Sequence, residues 1–235
     1  MIEARNRFGG LALTAFFTML AAATTSASAE PGTKMLYLVR HGQYDHEDER
    51  DADIGKALIP LGVAQARLLA NRLRSLPVEM SVLHSSTMTR ARETAAVVHE
   101  EMPWLERQKT KILRECTPTT RREDIMERLE PGEAAECEEQ LEEAFAEYFV
   151  PSPNGDSHEI VVCHGNVIRY FVTRVLGVDP ESWLQMSIGN CSLTVIRINP
   201  DNTFKLLTFA DVGHLPTNLL TGWERVDRSL VIPKE

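Results

Sequence analysis

No CxxC pair occurs in this sequence: its 4 cysteines, Cys116, Cys137, Cys163 and Cys191, stand far apart. A zinc finger or ribbon, which needs ligands paired at short spacing, is thereby excluded. No compact Lys/Arg stripe is present, and the formal charge is -9. Such a surface repels nucleic-acid backbone and anionic lipid, so nucleic acid is not an expected partner. Repeats and low-complexity tracts are missing as well. The one long apolar run is short for a bilayer: Leu11 to Ala23 gives 13 residues, against roughly 17 to 25 for a spanning helix.

What stands there instead looks like an address. Arg5 and Arg7 precede the apolar run, and "TTSASA" follows it, with Ala27 and Ala29 in the small-residue pattern of signal cleavage. Residues 1–29 therefore read as a signal peptide with Glu30 the first mature residue, and the expected location is exported, periplasmic or secreted. The alternative is a membrane anchor or an organelle-targeting segment, which places the chain in mitochondria or on a membrane. Membrane contact is expected only if the segment stays uncleaved. The chain has 235 residues and is 43% hydrophobic, so 30–235 suffices for one complete core.

Strands and helices alternate along that domain. "KMLYLVR" is a continuous apolar run of β-formers, as in a central strand covered on both faces. Pro60 opens a helix on which Val63, Ala66, Leu69, Leu73 and Leu76 recur at helical spacing. "MSVLHSS" reads as a strand, "MTRARETAAVVHEEM" as a helix, and "TKILREC" as a third strand ending near Glu115. The polar stretch 117–132 looks like a peripheral insertion with a short helix at "REDIMERL". An acidic helix from Glu133 to Phe149 puts Cys137, Leu141, Ala144, Phe145 and Tyr148 on one side. "EIVVCHGN" is a second core strand, followed by a helix closed by Gly177. "SLTVIRI" and "TFKLLTFAD" form a hairpin. The predicted fold is α/β: a three-layer sandwich whose central, mostly parallel sheet is flanked by helices.

In open sheets of this kind the ligand crevice lies beyond the carboxyl ends of the strands. Arg40 with His41, Arg90, Glu115 and His164 all fall at such ends or just after them. Two imidazoles and two guanidiniums in one place suit a phosphoryl group. Arginine offers a rigid fork of donors to phosphate oxygens. A neutral imidazole can attack phosphorus, a protonated one can donate to an equatorial oxygen, and a carboxylic acid of raised pKa can protonate the departing alkoxide. No metal or other cofactor is required. Taken singly, each residue also has a plainer reading: a histidine at a turn, an arginine on a helix surface, one acid among 34.

Together, "LVRHGQ", "SSTMTRARETA", "LRE" and "VVCHGNVIR" resemble the motifs of the histidine phosphatase superfamily, from about Lys34 to Asp211. The resemblance implies that His41 is the nucleophile, Glu115 the proton donor and His164 the stabiliser of the transition state. It assigns phosphate binding to Arg40, Arg90, His164 and Asn190. Gln43, Asn166 and His214 are candidates for the substrate mouth; Asn166 has helix capping and His214 a surface role as alternatives. "RHGQY", "LRECTP" and "FADVGHLP" look like the PGAM5-like serine/threonine protein phosphatases in particular, which implies phosphorylated proteins or peptides as substrates. A homodimer stays open. A small-molecule phosphatase, a mutase-like enzyme and a non-catalytic phosphate binder are the rival readings. Ile59 departs from the usual threonine of "TPLG", and Cys116 stands where glycine is common after the acid. Asp45, Glu47, Asp48, Glu49, Asp51 and Asp53 crowd the loop after His41. Were that loop at the entrance, it would repel small polyanions and attract basic phosphopeptides; otherwise it is a solvated surface loop.

Overall fold

The computed structural model describes Met1 and residues 30–222. The signal-peptide reading of 1–29, with its anchor alternative, falls almost wholly outside the described residues. Among the described residues, no helix is long and apolar enough to cross a membrane.

Six strands form one sheet in the order β3-β2-β4-β1-β5-β6. These are β1 (Pro31–Arg40), β2 (Val82–Ser86), β3 (Glu106–Thr110), β4 (Gly155–Cys163), β5 (Leu193–Ile198) and β6 (Phe204–Asp211). The first four run parallel, and β5 and β6 add an antiparallel edge. The helices are α1 (Pro60–Arg74), α2 (Thr89–Glu101), α3 (Glu123–Met126), α4 (Glu133–Tyr148) and α5 (Gly165–Leu176).

The central strands are apolar throughout because both faces are covered. Along β1, Tyr37 and Val39 join one core with Ile160 and Val162 of β4. Leu36 and Leu38 join the other with Val161 and Cys163. Ala66, Leu69 and Leu73 of α1 and Ala91, Ala95 and Val98 of α2 close the first core. Leu141 and Ala144 of α4 and Val167, Ile168 and Phe171 of α5 close the second. Full burial of each such aliphatic or aromatic side chain contributes roughly 1.5–3 kcal/mol. Alternation along two strands thus sends one helix pair to each side, and the three-layer expectation holds.

β1 and β4 are neighbours with Arg40 opposite Cys163, yet β1 leads to α1 on one face and β4 to α5 on the other. Their carboxyl ends part there, opening a crevice at a topological switch point. His41 and His164 are the next residues on the two chains, and the His41 amide donates to the Cys163 carbonyl at 3.1 Å.

The third strand differs from the sequence reading. β3 occupies Glu106–Thr110, five residues that are mostly exposed, whereas Ile112–Cys116 forms an irregular segment. The apolar residue in "KIL" misdirected the reading: Leu113 is buried under α4, not in the sheet. The charged segment forms the strand because β3 is an edge, where polar side chains remain in water and guard unpaired backbone. Similarly, β4 starts at Gly155, inside a stretch that reads as loop. The hairpin, the closure of α5 by Gly177 in a left-handed conformation and the short helix in 117–132 appear as expected. A disulfide joins Cys116 to Cys137, while Cys163 and Cys191 are free and buried.

Candidate active site

The orientation of the His41 ring begins with Gly42. A Cβ on Gly42 would come within 2.6 Å of the Gly62 carbonyl oxygen, so only glycine lets the loop after β1 lie this close to the start of α1. The Gly42 amide donates to Thr94 Oγ1 at 3.0 Å, and its carbonyl lies 2.8 Å from His41 Nδ1. Nδ1 therefore carries the proton and donates it to that carbonyl, which leaves the lone pair on Nε2. Arg90 Nε–H donates to that same Nε2 at 3.1 Å. Burial first, then the charges of Arg90 and Arg40, hold the His41 pKa well below that of free imidazole. The ring is neutral at physiological pH.

Arg90 sits in the first turn of α2, where its charge opposes the helix dipole. Tyr44 compensates: its ring lies 4.8 Å beneath the Arg90 guanidinium and meets His41 edge-on at 5.2 Å. His46 packs against Tyr44 with ring centroids 3.9 Å apart and the planes tilted by 36°. Neither Tyr44 nor His46 received a role from the sequence, and only the proximity of Tyr44 to "RHG" pointed to it.

His164 has no exposed surface and its ring lies 5.1 Å from that of His41. Ser86 Oγ, which accepts from the Met88 amide, approaches His164 Nε2 at 2.8 Å. The Ser86 hydroxyl can give its proton to Nε2, an arrangement in which Nδ1 carries the ring's own proton. That Nδ1 is buried and has no protein partner, and the same is true of Arg40 Nε. Burial, His41 and the two arginines push the His164 pKa well below its ordinary value. The protein's own groups, taken without an anion between the arginines, hold the second imidazole toward its neutral form.

Arg40 is fixed by donation to the Ile188 carbonyl at 2.5 Å, and its Nε would lie 3.5 Å from a Cβ on Gly165, the residue after His164. Glu115 enters from the irregular segment after β3 rather than from a strand end. Both its oxygens accept from the Asn166 amide at 3.2 Å, and burial raises its pKa despite the nearby charges of Arg40, Arg90 and Arg169. A carboxyl held in that state suits proton donation.

Three other assignments change. Asn190 Nδ2 donates to the His41 carbonyl at 3.0 Å, and its Oδ1 accepts from Thr221. The amide expected to bind phosphate instead secures the end of β1. Asn166 lies inside α5, so it is not the cap; its side chain donates to the Cys116 carbonyl and accepts from Arg169. His214 Nε2 donates to the Cys191 carbonyl at 3.0 Å, and its Nδ1 accepts from Arg72 at 3.2 Å. It braces the loop beneath Arg40 and does not line the mouth. Cys191 there adopts φ 51°, a strained conformation for a side-chain-bearing residue, and its amide donates to the Arg40 carbonyl. Gln43 accepts from the Ile59 amide through its carbonyl, and its amide donates to Gln65. Gln65, buried and unassigned by sequence, donates onward to Leu219 and Thr221.

The acidic loop borders this site through Tyr44. Asp48 is taken up by Arg50 at 2.6 Å and Asp53 by Arg114, while Asp45, Glu47, Glu49 and Asp51 stay exposed. On the other side, a cleft of about 310 Å³ beside Arg40 is lined by Arg122, Arg169, Met186 and Ile188. Among the described residues, no group of three or more His, Cys, Asp or Glu side chains is placed to hold a metal ion.

The sequence profile of the histidine phosphatase superfamily, branch 1, matches residues 36–211. The chain belongs to that superfamily. It is 40% identical over 197 residues to the mitochondrial serine/threonine-protein phosphatase Pgam5 of Caenorhabditis elegans, covering 80% of this chain and 66% of that one. Against the human protein of the same name it is 35% identical over 193 residues, with the same coverage. The chain therefore spans just under two thirds of the length of these relatives. Among solved structures, a phosphoglycerate mutase from Plasmodium falciparum superposes with a TM-score of 0.56 at 28% identity, over 79% of this chain and 96% of that one. Bacillus stearothermophilus YhfR superposes with a TM-score of 0.61 at 20% identity, over 77% and 98%. The latter likeness concerns the fold.

Proposed function

We propose that this superfamily member is a metal-independent phosphomonoester hydrolase acting on phosphoserine and phosphothreonine in proteins. The observation that carries the reading is the fixed tautomer of His41, with Nδ1–H on the Gly42 carbonyl and the Nε2 lone pair facing Arg90. The two unpartnered buried groups, Arg40 Nε and His164 Nδ1, support an anion bound among them.

His41 Nε2 attacks phosphorus, the bond from phosphorus to the ester oxygen breaks, and Glu115 gives its proton to the leaving alkoxide. Arg40, Arg90 and His164 hold the equatorial oxygens as charge redistributes. Water then attacks the phosphohistidine, Glu115 takes its proton, and phosphate leaves with His41 neutral again. The names of the relatives support a protein substrate. So do the four exposed acids beside Tyr44, which disfavour a small polyanion and favour a basic peptide.

The disulfide supports an oxidising compartment, which accords with export. The relatives' names read mitochondrial and match the alternative reading of the leader. Phosphate release is to be measured from serine/threonine phosphopeptides and from phosphorylated sugar acids, with chelator present. Turnover of the peptides is expected to lead. Preference for the sugar acids would move the assignment to a small-molecule phosphatase, loss with chelator would sink metal independence, and no release from a broad panel would favour a binder.

A further inference from the structure

Glu115 has to be held at a fixed distance from the ester oxygen, yet it lies in a segment without regular structure between β3 and α3. Its support comes from two helices. On the α5 side, the Asn166 amide reaches both carboxylate oxygens and its side chain reaches the Cys116 carbonyl at 2.8 Å. On the α4 side, Gln140 Nε2 donates to the Arg114 carbonyl at 2.9 Å and the Ile112 carbonyl at 3.2 Å. The next anchor is covalent: Cys116 is bonded to Cys137, one helical turn before Gln140. Glu115 is thus flanked on each side by a residue tied to the same face of α4.

We propose that the Cys116–Cys137 disulfide is a positioning device for the proton donor, and that its reduction selectively slows cleavage of esters with poor leaving groups. This rests on the reading of Glu115 as the general acid. Hydrogen bonds from Gln140 tie the backbone to α4 only as far as Arg114, and beyond it Glu115 and Cys116 are held by hydrogen bonds to α5 alone; the disulfide adds the tie from Cys116 to α4 that fixes the segment between the two helices. A displacement of the acid by about 1 Å is enough to lower catalysis by ~10–100-fold. Aryl phosphates with good leaving groups depart without a proton and are insulated from the shift. In the reducing direction a small dithiol attacks the disulfide, gives up two electrons and two protons, and leaves as its cyclic disulfide; the protein gains two thiols. Cys163 and Cys191 are free and buried, so no second disulfide among the described residues confuses the response.

The test uses the purified full chain, oxidised or treated with a dithiol, with the state of Cys116 and Cys137 read by thiol alkylation and peptide mass. A serine phosphopeptide and an aryl phosphate are compared, with the double variant Cys116→Ser/Cys137→Ser and the variant Glu115→Gln alongside. Reduction is expected to lower kcat/KM for the peptide ~10-fold or more and for the aryl ester less than ~2-fold. The double variant should match the reduced enzyme and ignore the dithiol. Equal losses on both substrates, or no loss, would overturn the positioning role while a selective loss in Glu115→Gln leaves the general acid standing. If Glu115→Gln itself is unselective, the general-acid reading and the positioning role fall together. Free thiols at both positions in the untreated enzyme would also overturn the proposal.

Discussion

At the residue scale, the chemistry of His41 is decided by a carbonyl that the sequence shows only as "HG". The glycine matters because its carbonyl accepts the hydrogen bond from Nδ1–H while its missing side chain admits Gly62. Arg40, His41 and His164 were legible because apolar strands end on polar residues that no core can use. Ser86, Thr94 and Gln65 were not, since each acts through a neighbour far along the chain: Thr94 is 52 positions from the Gly42 amide it accepts from. For the same reason Asn190 could be placed near the site but not turned toward the His41 carbonyl. His41→Ala is expected to abolish the acid-labile phosphoenzyme and to lower turnover ~10³-fold or more, since a residue that forms the covalent intermediate acts as a unit with its partners. Rapid-quench labelling with a radioactive phosphopeptide checks this. Normal labelling of the alanine variant would remove His41 from the role.

At the scale of elements, helices were read well where burial repeats every third or fourth residue, and strands where both faces are covered. The failures share one cause: at an edge, or in a segment packed under a helix, hydrophobicity no longer reports sheet membership. β3 is charged and exposed, and Leu113 is apolar but outside the sheet. The start of α1 shows a different kind of deficit. Its cap residue, Ile59, has an extended backbone at φ -82° and ψ 166° and offers no side-chain acceptor to the first turn, which Pro60 opens. A threonine there supplies an oxygen for an orphan amide of that turn. Ile59→Thr is therefore expected to stabilise the fold by about 1 kcal/mol, seen as a higher urea midpoint at unchanged slope. An unchanged or lower midpoint would show that packing of the isoleucine side chain outweighs the missing cap.

On the scale of the whole molecule, the site is built by taking titratable groups out of water, and the fold bears the consequence. Burial is the leading cause of a depressed pKa at His41, His164 and His214, and for His214 the value falls to about 4. Unfolded, each titrates near about 6.5. Below about 6.5 the unfolded chain binds protons that the folded chain refuses, so stability is fully present above that pH and is lost progressively as the pH falls, for His214 down to about 4. Glu115 works in the opposite sense, because its raised pKa makes the folded state the better proton binder above the ordinary carboxyl range. Burial depresses His158 as well, and one carboxyl against four imidazoles leaves the net slope with the histidines. Asp48, Asp124, Asp201 and Asp211, all depressed, add their losses only below the carboxyl range and so do not set this window. Urea midpoints taken from pH 7.5 down to 4.5 should decline steadily, and His214→Gln should flatten part of that decline. A midpoint constant across the interval would mean that these rings take up protons without unfolding, and the neutral arrangement of His41 and His164 that the proposed phosphoryl transfer uses would lose its electrostatic basis.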